Sequence, residues 1–438
     1  MKSFFKLILS LIVLGGVAVL GSTYYVSKEV EKRFRALSEF AVTESNGLLD
    51  IKVYSYDVGL LKSSAITSVT CKIGQKLEAI QVKHTIWNGP VIYTGEKNKA
   101  VALELAVIES HLENLPKNYQ MDLTTKMIVH YNGEIDAETT MESFSIENEQ
   151  IKISGPSWKQ KTHISKLNVM DNATVEAPSF LIEYKDIHDL VGFENIKISL
   201  KNAVEAGKKS KQGVVSYSKM SEKITNLQLS EVDLSWNTTI IVDIMDTQWN
   251  IQCRELKLGD KTYGPLQLKA EYNHIDETVL RDLLLHQPGV NPMDLLQRFL
   301  SKKPTLIIKD THVSIEAGKI DLDLLLSIGG ADLQLPINKE TLKATLDGRF
   351  KMDLPKSTFV NFLNTHLEQN MARTDDYKKL DDAHKKQALL QQMDLKIKKL
   401  KEDGVLVENN DIDTITISID KGRWVVDGKE VANPVQLQ

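Results

Sequence analysis

The sequence predicts an α+β protein that is mainly β, with one N-terminal transmembrane helix followed by an extended antiparallel β-rich domain. Inserted helices are expected near residues 276–302 and 356–403. Three patterns favour this fold class: an uncharged opening run, a long region of alternating apolar and polar residues, and two later segments with apolar residues at helical spacing. The 438 residues exceed the size of a single hydrophobic core, so we expect several packed units.

The opening run extends from Leu7 to Val26 without a charged residue. A helix of that length crosses a hydrocarbon core of about 30 Å. We therefore predict a short cytoplasmic segment at residues 1–6 and a single-pass transmembrane anchor at residues 7–26. A cleaved signal peptide is the alternative, because Val19-Leu20-Gly21 offers a processing site. Lysines and arginines on both sides of the run leave its orientation open.

The remaining chain divides by the period of its apolar residues. Residues 27–44 place Val30, Phe34 and Leu37 three or four positions apart, which predicts an amphipathic stalk helix. Residues 45–275 alternate with a period of two, and the lack of helical patterns between strands favours an antiparallel β-rich domain. Residues 276–438 are predicted to be a helix-containing α+β region that closes with a C-terminal hairpin.

Composition excludes some partners and some kinds of site. With 54 basic and 59 acidic side chains, the chain lacks the basic excess of a nucleic-acid-binding surface. The two cysteines, Cys71 and Cys253, exclude a disulfide-stapled scaffold and a four-cysteine zinc site, but the sequence leaves open whether they pair. Lysines between residues 378 and 401 alternate with acidic residues, so we expect them to form a solvated helix face.

No motif of a known catalytic chemistry is present. The ten histidines are scattered, and no serine elbow, dinucleotide turn or phosphate loop occurs. We therefore predict that the chain is not an enzyme and has no cofactor, and we assign no catalytic, cofactor-binding or metal residue.

The best local cluster is His84 and Trp87, in the segment KHTIWNGP. A titratable imidazole beside an indole at a strand end makes a candidate binding patch. The alternative is that both side chains pack beside a turn, whose backbone is set by Asn88-Gly89-Pro90.

Several short motifs, taken in order, resemble the YdgA-like (YdgA/YihF) family of bacterial proteins with a domain of unknown function. They are the opening apolar run, YDVGLLKSSA at residues 56–65, the segment from His84 to Pro90, Tyr263-Gly264-Pro265-Leu266, and the closing segment from Gly422 to Gly428. The chain departs from the family at Asn88, where a second histidine is expected. The resemblance implies an inner-membrane anchor with the C-terminal domain in the periplasm, and it implies no activity.

Three functions compete at this point. The leading hypothesis is a non-enzymatic cell-envelope protein, anchored in the inner membrane through its N-terminal helix, whose periplasmic domain binds a lipid or protein partner. The alternatives are an envelope hydrolase with an unrecognised active site and a structural subunit of an envelope assembly. The identity of the partner and the oligomeric state are left open by the sequence.

Overall fold

The structure is a computed structural model, and it falls into two compact units. The described residues are 26–39, 41–42, 49–71, 79–89, 92–93, 101–102, 104–115, 119–147, 149–166, 170–205, 207–285, 291–328, 345–372, 375–426 and 429–431. Unit 1 contains residues 1–204 and 211–224, and unit 2 contains residues 205–210 and 225–438. Cys253 is a free, buried thiol, so it forms no disulfide in this structure, and the side chain of Cys71 lies outside the described part.

Unit 1 is built on an antiparallel meander preceded by a helix, α1, at residues 26–39. Strands β1–β2–β3–β6–β7–β8 pair in that order, and β11 and β12 follow beyond β9 and β10. A separate pair is formed by β4 and β5. The strands are β1 Leu49–Asp57, β2 Lys62–Cys71, β3 Ile80–Asn88, β4 Ile92–Tyr93, β5 Val101–Ala102, β6 Ala106–Glu113, β7 Tyr119–Val129, β8 Ile135–Glu147, β9 Ile151–Gly155, β10 Trp158–Ile164, β11 Met170–Tyr184, β12 Asp189–Glu205 and β13 Lys208–Glu222.

Unit 2 repeats this antiparallel design and adds helices. Strand β14 pairs with β15, which pairs with β16 and β17, and the sheet continues through β18, β19, β20 and β22. The strands are β14 Leu227–Ile241, β15 Ile244–Leu258, β16 Lys261–Tyr263, β17 Leu266–Asp276, β18 Thr305–Ile315, β19 Gly318–Ile328, β20 Leu346–Pro355, β21 Leu406–Asn409, β22 Ile412–Asp420, β23 Arg423–Val426 and β24 Lys429–Glu430. The helices are α2 Glu277–Leu285, α3 Pro292–Ser301, α4 Lys356–Met371, α5 Asp375–Lys378 and α6 Asp382–Glu402.

Two of the long strands are interrupted at Gly-Pro sequences. Strands β9 and β10 share the same two neighbours, β8 and β11; β9 ends at Gly155, and Pro156 and Ser157 separate it from β10. In unit 2, Gly264 and Pro265 separate β16 from β17, although both pair with β15. Proline donates no backbone hydrogen bond, so it breaks the ladder at these points without ending the sheet.

Helix α1 covers one end of the unit 1 sheet. Val26, Val30 and Phe34 recur every four residues, and all three are buried against the sheet. They pack with Ala65, Ile86, Leu105, Ala106, Ile108, Val129 and Ile135. The outer side of the helix carries ion pairs, such as Arg33 with Glu29 at 3.2 Å. This division into an apolar and a charged side is what a helix lying on a sheet requires.

The predicted fold class is wrong in its N-terminal element. The transmembrane helix expected from Leu7 to Val26 lies outside the described residues, apart from Val26 itself. The N-terminal helix that the structure does show, α1, has charges along its outer side and packs on the sheet. No helix in the described part of the chain is long and apolar enough to cross a membrane. The antiparallel sheet and the helices near 276–302 and 356–403 are present as expected.

The helices of unit 2 cover the ends of its sheet. Phe359, Leu363 and Leu367 of α4 are buried with Leu354 and Leu406, and Met352 and Ile415 of the sheet pack against this cluster. Ile417 is buried in a neighbouring cluster with the C-terminal hairpin. At the other end, α2 and α3 contact β17. Helices therefore lie over both ends of this sheet.

We expect the substitution Phe34→Ala to lower the free energy of unfolding by about 3–5 kcal/mol, because it removes a 4 % exposed ring from the core beneath α1. Phe362→Ala is the matched control, since that ring is 68 % exposed, and we expect a cost below about 1 kcal/mol. Urea unfolding of the full chain, followed by circular dichroism, measures both. Equal losses in the two variants would contradict the packing of α1 on the sheet.

Candidate functional site

His84 is a packing group under α1. Its Nε2 lies 2.8 Å from the Thr67 hydroxyl and its Nδ1 lies 2.7 Å from the Ser110 hydroxyl. The ring meets Phe34 edge-on, with 4.9 Å between centroids. Burial lowers the pKa of His84 to about 4, so the ring is neutral at neutral pH. Both ring nitrogens are engaged inside the protein, which leaves no free nitrogen for a ligand.

Trp87 lies on the opposite face of β3, because it is three positions after His84 and strand side chains alternate between faces. Its ring is half-buried, and the Lys62 ammonium lies 5.6 Å from the ring centroid. The structure therefore does not bring His84 and Trp87 together in one patch. Whether either residue binds a ligand stays a prediction.

Asn88 links two segments that the sequence analysis singled out, residues 56–65 and the segment that begins at His84. Its side-chain amide donates to the Gly59 carbonyl at 2.9 Å and to the Ser63 hydroxyl at 3.0 Å. Gly59 sits so close to the Lys62 carbonyl that a Cβ would clash with it, and Gly89 approaches the Glu104 carbonyl as closely. The segments at residues 56–65 and 84–89 are thus held together by close backbone packing and by the side chain of Asn88.

A chain of alternating carboxylates and imidazoles lies at the ends of several unit 1 strands. His130 has Nδ1 2.8 Å from Glu104 Oε2 and Nε2 2.9 Å from Asp136 Oδ2. The other oxygen of Asp136 lies 2.8 Å from His163 Nδ1, and His163 Nε2 lies 3.7 Å from Asp171. We call these five residues the His–carboxylate chain. It links residues next to or within β6, β7, β8, β10 and β11.

The geometry of this chain favours a charged His130. An imidazole can donate to two carboxylates only when both nitrogens carry a proton. Burial of the ring opposes that charge, but the hydrogen bonds to Asp136 and Glu104 together outweigh burial and raise the pKa of His130 above its ordinary value. Hydrogen bonds from His163 and then His130 lower the pKa of Asp136.

One face of the unit 2 sheet carries two rows of mostly apolar side chains. Residues opposite each other in an antiparallel pair share a face, so the register defines a row across seven strands. The row is Trp236, Trp249, Ala270, Ile308, Leu324, Phe350 and Ile417. A second row beside it includes Leu234, Ile251, Leu268, Leu322, Met352 and Ile415. We call these thirteen residues the apolar face.

Much of the apolar face is half-buried. Trp236 and Trp249 stack with 5.5 Å between ring centroids, and they and Ile308 are half-buried, whereas Ala270 between them is buried. The clusters under α4 and the C-terminal hairpin include only the part of the face on β20 and β22. The other face of the sheet is polar and charged, as the Lys309–Glu271 ion pair at 2.6 Å illustrates. The centre of the apolar face therefore carries half-buried aromatic and aliphatic side chains that lie outside these clusters.

Unit 1 has a comparable row of aromatic rings. Phe144, Phe180, Phe193 and Tyr217 follow one another across neighbouring strands, with centroid separations of 5.9, 6.4 and 5.5 Å. All four are half-buried. Gly155 lies between the first two rings, where a Cβ would meet the ring of Phe144. The missing side chain thus lets the two phenylalanine rings approach each other across the intervening strand.

Sequence reasoning missed both the His–carboxylate chain and the apolar face. The five residues of the chain are far apart in sequence and become neighbours only through the strand register. A usable signal was that His130 follows a strand and Asp136 begins the next one. Within the described ranges, no group of three or more His, Cys, Asp or Glu residues is arranged to hold a metal ion.

We expect the His–carboxylate chain to stabilise unit 1 most between about pH 4 and 6.5. The raised pKa of His130 contributes stability that is complete below its ordinary value of 6.5 and is lost as pH rises through the raised value. The lowered pKa of Asp136 contributes stability above 3.8 that is lost as pH falls further. Melting temperature measured between pH 5 and 8.5 should therefore fall towards the alkaline end, by the equivalent of about 1 kcal/mol or less.

His130→Gln should flatten that alkaline decline, because glutamine keeps a polar side chain but cannot carry the charge. His111→Ala is the matched control, since His111 is exposed on the same sheet and its Nδ1 lies 3.2 Å from an uncharged group, the Thr124 hydroxyl. If the melting temperature of His130→Gln still falls towards alkaline pH as in the wild type, the His–carboxylate chain does not set the pH dependence of stability.

Comparison with known proteins supplies the family but no activity. No curated protein and no solved structure matches the chain. The family described as "Bacterial protein of unknown function (DUF945)" matches residues 1–434, which is almost the whole sequence. The chain therefore belongs to the DUF945 family of bacterial proteins.

Proposed function

We propose that the chain is a non-enzymatic protein of the bacterial cell envelope whose β-rich part binds the acyl chains of a lipid. The observation that carries the proposal is the centre of the apolar face, where the stacked pair Trp236 and Trp249 and the neighbouring Ile308 are half-buried. Aromatic and aliphatic side chains that keep part of their surface accessible on one sheet face offer contact to an apolar ligand.

The dimensions of the apolar face suit an acyl chain. Seven strands about 4.8 Å apart give a row about 29 Å long, whereas one leaflet of the hydrocarbon core is about 15 Å thick. The row is therefore long enough for an acyl chain lying across the strands.

The chemistry of the face also favours a lipid over a peptide. A peptide strand gains affinity by pairing its backbone with a free sheet edge, and the centre of this face has neighbouring strands on both sides. An acyl chain has no hydrogen bonds to satisfy, so aliphatic and aromatic side chains alone can hold it.

Location and subfamily belong to the same proposal. We assign the chain to the YdgA-like (YdgA/YihF) branch of its family and to the periplasm. The support is the order of the motifs at residues 56–65, 84–90 and 263–266. A lipid-binding sheet in that compartment would lie next to membranes that supply its ligand.

Quenching of tryptophan fluorescence tests the lipid proposal. Vesicles of phosphatidylglycerol with brominated acyl chains should quench Trp236 and Trp249, which are two of the five tryptophans in the chain. The total fluorescence should fall by up to about two fifths, because bromine quenches indoles only at close range. The same vesicles without bromine correct for scattering and for changes in environment.

Two variants identify the tryptophans responsible. Trp236→Phe with Trp249→Phe should abolish most of the quenching, whereas Trp87→Phe should leave it intact because Trp87 lies in the other unit. Quenching that survives the double substitution would reject the apolar face as the lipid site. Absence of quenching in the wild type would favour a protein partner instead.

A hydrolase is the second candidate, and one observation favours it. Asp136 holds His163 by Nδ1 at 2.8 Å, as a carboxylate orients the histidine of a general base. A pocket of about 250 Å³ adjoins this pair and is lined also by Lys126, Thr162 and Asn172. Hydrolysis of p-nitrophenyl butyrate tests this candidate. Turnover that is lost in His163→Ala and kept in His111→Ala would establish it, and our proposal expects no turnover above background.

A further inference from the structure

Unit 2 contains a cleft that is separate from the apolar face. It lies between α4 and α6 and encloses about 770 Å³, within the range of about 300–1,000 Å³ typical of small-molecule sites. The short helix α5 contributes Tyr377 to its wall. The two long helices pack together through residues such as Leu367 and Leu389, so the cleft is an opening between packed elements.

The floor of the cleft is apolar. Val360 of α4 and Leu389 and Met393 of α6 line it. Leu390 also lines the cleft and keeps 48 % of its surface exposed. These side chains offer contact to an alkyl group and no hydrogen bond.

The walls of the cleft carry polar groups with an excess of positive charge. Lys385 and Lys386 lie one turn inside the start of α6, and Lys378 lies on α5. Against these three cations stand two acids, Glu368 and Asp382.

The contacts of these groups leave room for an anion. Asp382 meets Lys385 only at 3.9 Å, which leaves most of the donor capacity of that lysine available. The side-chain amides of Asn361 and Asn364 face the same space and add further donors.

We propose that this cleft binds an anionic amphiphile, a molecule with one carboxylate or phosphate group and an alkyl chain. The alkyl chain lies on Val360, Leu389 and Met393, and the anionic group meets Lys385 and Lys386. From the alternation of lysines with acids in the sequence, we expect α6 to present a solvated face. The environment of Lys385 and Lys386 differs from that expectation, because α4 places apolar side chains and two amides beside their turn of the helix. The site does not depend on the acyl-chain proposal, since it shares no residue with the apolar face.

Calorimetric titration of the full chain with dodecanoate, and with dodecanol as an uncharged analogue of equal chain length, tests the proposal. Dodecanoate should bind at least about ten-fold more tightly, because its carboxylate accepts charge-assisted hydrogen bonds from the lysines, which are stronger than those that the dodecanol hydroxyl accepts. Lys385→Ala with Lys386→Ala should remove that difference. The matched control is Lys398→Ala with Lys399→Ala, two exposed lysines of the same helix, and it should keep the difference.

A second variant separates loss of binding from loss of folding. Asn364→Trp fills the cleft from its wall, and should abolish tight dodecanoate binding while circular dichroism and melting temperature stay unchanged. Trp236→Phe with Trp249→Phe should leave this binding intact, so failure of the acyl-chain proposal and failure of this one remain distinguishable. Equal weakening by both lysine pairs, or equal affinity for dodecanoate and dodecanol, would overturn the proposal.

The source of the anion is resolved by comparing two ligands. The protein could bind monomeric dodecanoate but show no binding to phosphatidylglycerol vesicles that depends on Lys385 and Lys386. That result would identify a free fatty acid or similar metabolite as the ligand class. Vesicle binding that requires the same lysines would identify a lipid headgroup at a membrane surface. Either result supports the proposal that the cleft binds an anionic amphiphile, and the absence of both kinds of binding rejects the proposal.

Discussion

Burial of the apolar side chains that the strands place on one face of each sheet stabilises the fold. Each unit buries part of that face beneath helices or a hairpin. Helix α1 packs on Ala65, Ile86 and Ile108 in unit 1. In unit 2, α4 buries the part of the sheet around Leu354. Trp236, Trp249 and Ile308 lie outside the clusters beneath α4 and the C-terminal hairpin, and they are half-buried.

Buried polar side chains on the mainly apolar side of each sheet form hydrogen bonds with one another. Under α1, Thr67, His84 and Ser110 satisfy one another on adjacent strands, so their burial carries little penalty. In unit 2 the hydroxyls of Thr238 and Thr247 lie 3.0 Å apart on paired strands in the same way. Polar groups are thus paired with each other where water is excluded. The centre of the apolar face carries apolar side chains instead.

The sequence was a good guide to local structure and a poor guide to sites. The alternation at residues 51–56 and 196–200 predicted strands correctly, and the apolar spacing after residue 356 predicted the helices, because both periods are properties of adjacent residues. The spacing of Val30 and Phe34 indicated an amphipathic helix. It did not show that the helix packs on a sheet, since the partners on that sheet lie between residues 65 and 135.

The sites depend on register, which sequence alone does not supply. His84 and Trp87 are close in sequence, and the two-residue period of β3 separates them onto opposite faces. Glu104 and Asp171 are far apart in sequence, and pairing of the strands between them brings them into one chain of contacts. A shift of one residue in the ladders between Glu104 and Asp171 would move these side chains apart. Proximity in sequence is therefore weak evidence for a site in a β-rich protein.

Irregularities in the strands of unit 2 give the apolar face its form. His274 and Asp310 adopt positive φ angles of 61° and 49°, each where the register shifts by an extra residue. Such bulges bend a strand and increase its twist. Both are held in place by side chains: the His274 amide donates to Asp246 at 2.7 Å, and the Asp310 amide donates to Asp323 at 3.3 Å. A positive φ is unfavourable for a residue with a side chain, so these bends are fixed features of the sheet. They lie within β17 and β18, the strands that carry Ala270 and Ile308, and therefore bend the sheet close to the centre of the apolar face.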